Sequence, residues 1–481
     1  MKKIHEFFVY KNLSNDDVTD LCDNSKTVVP GSMFIALNRD AEQRKNHIAE
    51  AVVRGAKYIL LEGDENCLKM ENGVAFFFVK NVRKELARIA AKFFASSFAN
   101  VVAVTGTNGK SSTVDILRQI WIGSAIESAS IGTLGVITKN NCEKLPHHMT
   151  CPDCLELHRI LCKLCERKIK NIAVEASSQG LDQHRLDEIN FDVCAFTNFT
   201  QDHLDYHKTL ENYWNAKARL FAALAREQSV FVVNADDPYS KAIREIAKSR
   251  NIKCVDYGYG AHDVQILEVE QEESQQRISA SFFGKRVSFV LPLQGAFQIH
   301  NAMCAAAIAY FTRIDVEKIV ENLQRLRPIN GRLELIVKFN DSNIYVDYAH
   351  TPDALQNAIF SLRSHHKKNR IITVFGCGGN RDQGKRILMG KVAEKFSDVV
   401  IVTDDNPRNE DPALIRKMIL EGCPNAIEVE NRKLAIEYAI KMLSEGDTLL
   451  VAGKGHETYQ MTGDELQELD DKKIILDGVQ V

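Results

Sequence analysis

No segment of the 481-residue chain approaches the ~20 consecutive apolar residues that a membrane-crossing helix needs. A spanning helix is therefore not expected. The sequence also lacks an excess of either charge: the formal net charge is -3, with acidic and basic residues interspersed. Such a surface offers no broad field to nucleic acid or anionic lipid, so any anion must be bound locally. Low-complexity tracts and short-period repeats are missing as well, which argues against a disordered arm or a solenoid. At the N-terminus, two lysines precede only a short apolar run broken by His5 and Glu6, a poor signal peptide. The chain is expected to be cytoplasmic. Its twelve cysteines then read as reduced thiols, mostly core filler, rather than as a disulfide framework.

What is present is an ordinary globular balance, 45% hydrophobic and 26% charged, in a chain too long for one core. Three α/β units are expected, at residues 1–98, 99–328 and 329–481. In the first, apolar runs at 33–37, 58–61 and 74–79 alternate with helical patterns ending near Gly55 and covering about 84–97. In the second, runs at 101–104, 172–174, 193–196 and 230–233 each lead into a polar segment, the pattern of a parallel sheet whose strand ends converge. Alternation over 264–292 predicts an antiparallel patch, and a helix is expected over 301–311. A Pro-Ile-Asn-Gly segment within 325–332 resets the pattern. Further buried strands are expected at 344–346, 371–375, 399–402 and 448–451.

The strongest chemical signal follows the run at 101–104. Thr105, Gly106, Thr107, Asn108, Gly109, Lys110 and Ser111, followed by Ser112, stand between a predicted strand and a predicted helix. Glycines there let backbone N–H groups approach phosphate, Lys110 supplies charge to the terminal phosphates, and Ser111 offers a hydroxyl to magnesium. ATP binding is the expectation from residues alone. Glu175, at the end of its strand, suits a hard cation; His203 either joins it or is a hydrogen-bonded core histidine. Cys151, Cys154, Cys162 and Cys165 form two CxxC pairs, a spacing seen in zinc sites. Cys154, Leu157, Leu161 and Leu164 nevertheless fall at helical spacing, which favours an amphipathic helix.

These motifs, with Glu175-Ala-Ser177-Ser178, residues 197–207, 213–221, 347–353, 376–382, 405–408 and 453–457, occur in the order found in Mur ligases. The chain resembles that family from about residue 20 onward, and most closely its members that add meso-2,6-diaminopimelate to UDP-N-acetylmuramoyl-L-alanyl-D-glutamate. The resemblance implies an N-terminal UDP-binding domain, a central P-loop ATPase-like domain and a C-terminal Rossmann-like amino-acid-binding domain, acting as a monomer in peptidoglycan precursor synthesis. It implies ATP as co-substrate, with Asn301, Arg332, Asp347 and His350 contacting it beside the loop. It implies Mg2+ held by Ser111, Glu175, His203 and a carbamoylated Lys217, although spacing alone would leave Lys217 an ordinary surface lysine. Lys110, His203 and Lys217 are the implied catalytic residues.

For the UDP-muramoyl dipeptide the resemblance implies Ser25, Thr150, Ser177, Gln183 and Arg185. For the incoming amino acid it implies Arg381, Asp405, Asn406, Pro407, Arg408, Gly453 and Glu457. An arginine fork recognises a carboxylate bidentately, so Arg408 is the expected selector of the second carboxylate of diaminopimelate, and Glu457 the partner of its distal ammonium. The sequence departs from the family pattern at Asn24-Ser25-Lys26, Cys151, Gln179 and Gln298. Lanthionine-adding, lysine-adding and folylpolyglutamate-synthetase-like activities are the enzyme alternatives; a nucleotide-binding scaffold is the non-enzyme one.

Overall fold

A computed structural model describes residues 2–10, 16–38, 40–145, 149–272, 275–365 and 369–480. The chain forms three principal sheets in sequence order. The first runs Leu21–Cys22, Met33–Ala36, Tyr58–Glu62, Val74–Val79 and Cys67–Glu71, parallel except for the last pair. That last strand is absent from the sequence reading because it is an exposed edge strand in which Lys69 and Glu71 interrupt the apolar run. Asn72 and Gly73, at φ +48° and +80°, make the tight turn that returns it to its neighbour. The helix expected over 84–97 is Val82–Phe93, started by the Asn81 side chain, which accepts from Lys84 N.

The second sheet has eleven strands. At its centre lies Asn100–Thr105, flanked by Asn171–Glu175 and Val193–Phe196. Val230–Asn234 and Lys253–Gly258 extend the parallel run. Val264–Gln271, Gln276–Phe282 and Lys285–Leu291 form the antiparallel patch. On the other side stands Ser128–Gly132, which the sequence hid: its serines are buried within the sheet and break the apolar signature of a strand. From Asn100–Thr105 the chain first builds one side of the sheet, then crosses to the other at Val193–Phe196. The strand ends therefore open a crevice beside residues 105–110, the position where doubly wound sheets bind ligands.

The helix Ala296–Phe311 is buried along nearly its whole length against Lys110–Gly123 and the sheet. It begins five residues before the expected start, after Gly295 at φ +95°. Cys154–Glu166 is a helix, with Cys154, Leu157, Leu161 and Leu164 buried. Cys154 and Leu155 pack into the core of the first sheet and so join the first two units.

The third sheet runs Glu334–Phe339, Ser342–Asp347, Thr448–Ala452, Ile371–Phe375, Val399–Val402 and Ile427–Glu428, parallel after its first antiparallel pair. Its strand ends deliver residues 347–350, 376–381, 403–408 and 453–457 to one edge. A hairpin, Tyr459–Thr462 with Glu465–Glu468, backs that edge. The final helix Asp471–Gly478 is anchored by a fully buried ion pair, Arg432 to Asp471 at 2.7 Å. Among the described residues no helix is long and apolar enough to cross a membrane.

Candidate active site

The sheet edges of the second and third units face each other across a cavity of about 450 Å³. On the central side, the loop after Asn100–Thr105 is held by backbone. Thr107 N donates to Asn198 O at 2.8 Å and Asn108 N to Asn198 Oδ1 at 2.9 Å. Thr197 Oγ1 donates to Asn108 O at 2.6 Å. Lys110 folds back onto the loop, its Nζ donating to the carbonyls of Gly106 and Thr107, each at 2.8 Å. Burial lowers the pKa of Lys110, opposed by the nearby Glu175 and Asp202 carboxylates.

Two glycines make this loop possible. Gly106 has φ +148°, and a Cβ there would lie 1.9 Å from Thr197 Oγ1; Gly109 caps Lys110–Gly123 at φ +85°, where a Cβ would lie 2.4 Å from Asn301 Oδ1. Asn301 is therefore packed beneath the loop rather than on the cavity wall, its Nδ2 bonded to Gln298 Oε1 at 2.9 Å. Ser112 is buried in the first turn of the helix. Lys217 also lies behind the loop: 1% exposed, it donates from Nζ to Gly106 O at 2.7 Å. Burial and the Lys110 ammonium together drive its pKa well below that of an ordinary lysine.

Glu175 Oε2 accepts from Ser111 Oγ at 2.9 Å, and Oε1 accepts from Thr133 N at 2.8 Å. His203 lines the same cavity, its imidazole pulled down to about 3 by burial against the opposing pull of Asp202. It is neutral at pH 7 and able to act as a ligand. No group of three or more His, Cys, Asp or Glu side chains forms a metal cage among the described residues. The Ser111 hydroxyl and the Glu175 carboxylate, 2.9 Å apart, are hard oxygen donors that suit magnesium, which is typically held by few protein oxygens together with phosphate and water; the His203 imidazole is a less usual partner for it.

Beside Glu175, Thr133 Oγ1 donates to Thr150 Oγ1 at 3.0 Å. Ser177 caps the short helix Ser178–Asp182 by accepting from Gly180 N. Arg185 lines the cavity and donates to Cys151 O at 2.8 Å. Gln183 stands behind it, its Oε1 accepting from Arg185 NH2 at 2.8 Å and its Nε2 donating to Tyr206 OH at 3.1 Å. Ser25 is not on this wall: it lies in the first unit and donates to Glu50 Oε2 at 2.7 Å.

On the C-terminal side, Arg332 NH2 reaches across to donate to Ser111 Oγ at 2.9 Å, its guanidinium over the Tyr348 ring at 4.5 Å. His350 is also on the wall, drawn down to about 4 by burial and the charge of Lys385. Asp347 lies just behind, accepting from Leu333 N at 2.6 Å and Ala349 N at 2.8 Å. Burial raises its carboxyl to about 6.

Arg381, Asp405, Asn406, Arg408, Gly453 and Glu457 gather at the far end of the cavity. Arg408 holds φ at +53°, a left-handed conformation costing ~1–3 kcal/mol in a residue with a side chain. The hairpin supports it: Arg408 N donates to Met461 O at 3.0 Å, and Gly463 N to Arg408 O at 2.8 Å. Pro407 sets the preceding turn, its carbonyl packed against Gly379. Arg408 NH1 donates to Gly379 O at 2.9 Å. Asn406 donates to Glu457 Oε2 at 2.9 Å, and the buried Lys454 ammonium is 3.1 Å from the same oxygen. Burial opposes ionisation of Asp405, but Lys454, Arg432 and Arg408 outweigh it and keep the carboxyl below its usual range.

Thr133, Asp202, Tyr348, Lys385 and Lys454 also border or support this space and were not singled out from the sequence. Asp202 and Lys454 adjoin or fall within recognised motifs. Thr133 carries no local signal, because only the fold brings it to Glu175.

Family models match the chain twice: the Mur ligase middle domain over residues 104–309 and the Mur ligase glutamate ligase domain over 331–455. A protein of Chelativorans sp. named UDP-N-acetylmuramoyl-L-alanyl-D-glutamate--2,6-diaminopimelate ligase is 41% identical, covering 92% of this chain and 91% of its own. One of the same name from Rickettsia bellii is 38% identical, covering 98% and 97%. A solved structure of a ligase so named superposes with TM-score 0.71 at 28% identity, covering 100% of this chain and 99% of its own. With matching models at both walls of the cavity and relatives aligned along almost the whole chain, the protein belongs to the Mur ligase family.

Proposed function

We propose that the protein joins meso-2,6-diaminopimelate to the D-glutamyl carboxylate of UDP-N-acetylmuramoyl-L-alanyl-D-glutamate at the expense of ATP, in cytoplasmic peptidoglycan precursor synthesis, acting as a monomer. The observation that carries this reading is the opposition, across one cavity, of a phosphate-type loop ending in Lys110 and Ser111 to a pocket containing Arg408 and Glu457. The named relatives support the choice of substrates.

On this reading, a glutamyl carboxylate oxygen attacks the γ-phosphorus of ATP, the bond to the β,γ-bridging oxygen breaks, and ADP leaves. The acyl phosphate is then attacked at carbon by the amino group of diaminopimelate; phosphate departs and the nitrogen loses its proton. Lys110 neutralises charge on the transferred phosphoryl oxygens, and Arg332, bonded to Ser111, adds a second cation from the opposite wall. Magnesium, held by Ser111, Glu175 and His203, supplies further neutralisation of phosphate charge when bound. The remaining groups act by positioning: Arg185, Thr150 and Ser177 on the dipeptide side, and Arg408, Asn406 and Glu457 on the amino-acid side. Closure of the two walls excludes water that would hydrolyse the acyl phosphate. Ser25, in the first unit, belongs with the uridine end of the substrate on this reading.

Lys217 is proposed to carry a carbamate. Its buried amine is biased toward the neutral, nucleophilic form; attack on CO2 with loss of a proton converts it into an anionic oxygen donor beside the loop, suited to a second magnesium. The decisive experiment is ADP release with ATP, magnesium and the UDP-muramoyl dipeptide, comparing meso-diaminopimelate, lanthionine, lysine and no amino acid. Release requiring both the dipeptide and meso-diaminopimelate is expected. Equal or better release with another amino acid would overturn the specificity, and no release with any would overturn the activity.

A further inference from the structure

Asp202 sits where the central and C-terminal units meet. It is 4% exposed and accepts from the His203 backbone at 2.9 Å. His203 itself is held at φ +55°, a conformation disfavoured for a residue with a Cβ, so this short segment is shaped by its surroundings. The carboxylate faces three groups: His203 Nε2 at 3.3 Å, His350 Nε2 at 3.8 Å and Lys385 Nζ at 3.9 Å. The last two belong to the opposite wall.

Lys385 is the more informative partner. It is 7% exposed and occupies the first turn of Gly384–Phe396. A cation there is disfavoured twice, by burial and by the positive end of the helix dipole. A carboxylate offsets both, and the one in ion-pair range among the described residues is Asp202, from the other unit. The neighbouring residue adds a parallel contact, Gln201 Nε2 donating to Asp382 Oδ2 at 3.4 Å. Asp202 and Lys385 both line the cavity, between the phosphate loop and the pocket around Arg408.

We infer that Asp202 is a positioning residue: its contacts with Lys385 and His350 seat the C-terminal unit on the central one, so that the amino-acid pocket faces the loop where the acyl phosphate forms. The inference rests on the ligase reading for its purpose but not for its geometry. If the units part, Lys385 loses its counter-charge, and a buried charge pair broken on one side leaves the other uncompensated. The junction therefore favours the seated arrangement through charge.

The test uses full-length protein and the variants Asp202→Asn, Lys385→Met and both together. Spin labels introduced as unnatural amino acids at the exposed positions 259 and 434 report the distance between the units. With magnesium and a non-hydrolysable ATP analogue, a narrow distribution is expected for the parent and a broader one for each single variant. In Lys385→Met nucleotide affinity should stay within about twofold, while kcat/KM for the amino acid falls by about tenfold or more in each single variant. The double variant should lose little beyond either single one. Unchanged distances in Lys385→Met, or single losses that multiply in the double variant, would overturn the inference; Lys385→Met serves this purpose even if Asp202→Asn does not fold. Because the distance readout needs no turnover, an inactive parent whose distances still depend on Lys385 would defeat the functional reading and leave the positioning role standing.

Discussion

The phosphate loop and the pocket around Arg408 hold their ligand-facing groups by different means. The loop is one contiguous segment, seven residues long, whose shape comes from its own glycines and from backbone bonds to residues 197 and 198. The pocket is assembled from three strand ends and a hairpin. Its key arginine is held in a left-handed conformation by Met461 and Gly463, far along the chain, and its carboxylate and amide groups are tied by the buried Lys454. A loop whose geometry is built into its backbone tolerates little change at its glycines. A pocket built from side chains tolerates change in framework more readily and pays for it in selectivity.

The largest effect that would sharpen this contrast is on the loop's charge. Lys110→Ala is expected to reduce kcat by ~10³-fold, because its ammonium acts on phosphoryl charge inside a cavity, while binding of the amino acid, measured directly by calorimetry, is retained. Equal loss of both would mean that the loop also shapes the distant pocket. Next in size is Gly106→Ala: its Cβ would overlap Thr197 Oγ1 at 1.9 Å, and a stability loss of about 3 kcal/mol or more is expected in denaturant unfolding. A fully stable Gly106→Ala with normal nucleotide binding would show that the loop's backbone is not as constrained as the contacts indicate.

On the other side of the comparison, Arg408→Lys keeps the charge and removes the fork. Preference for an amino acid with a second carboxylate over lysine should fall by ~10–100-fold, with thermal stability and ATP affinity near the parent values. Retained preference would move selectivity away from Arg408.

The smallest expected effect concerns pH. Burial depresses His158 and His350 to about 4 and His456 to about 3. The unfolded chain binds these protons first, so stability is fully present above about pH 6.5 and is lost as pH falls toward 4, by up to ~1.4 kcal/mol per pH unit for the buried His158 and by less for His350, whose side chain is 37% exposed and screened by solvent. Asp347, raised to about 6, opposes this, because its folded form binds a proton that the unfolded carboxylate has released. Melting temperature followed from pH 7.5 to 5 should therefore drop, and His158→Leu, at a buried position that does not line the cavity, should flatten the decline. A flat profile in the parent would remove the histidine account.

Most of the architecture was legible in the sequence because buried parallel strands announce themselves as short β-branched runs. The runs at 193–196, 371–375 and 399–402 became strands with those bounds. Ser128–Gly132 and Cys67–Glu71 escaped because a strand filled with small polar residues, or paired at an edge, carries no such run. The helical face of Cys154–Glu166 was readable from its spacing, but its second task, carrying Cys154 and Leu155 into the neighbouring core, was not.

By itself the sequence determined the local objects: the glycine loop with Lys110 and Ser111, the strand-end carboxylate Glu175, the order of motifs and the division into three α/β patterns. These depend on backbone freedom and side-chain period, which are properties of short segments. Only the tertiary structure decided that Lys217 is buried beneath Gly106 and not on the surface, that Thr133 meets Glu175, that Ser25 lies apart from the cavity, and that Asp202 faces Lys385 across it. Burial and charge pairing are sums over neighbours brought together from distant parts of the chain, and no window of sequence contains them.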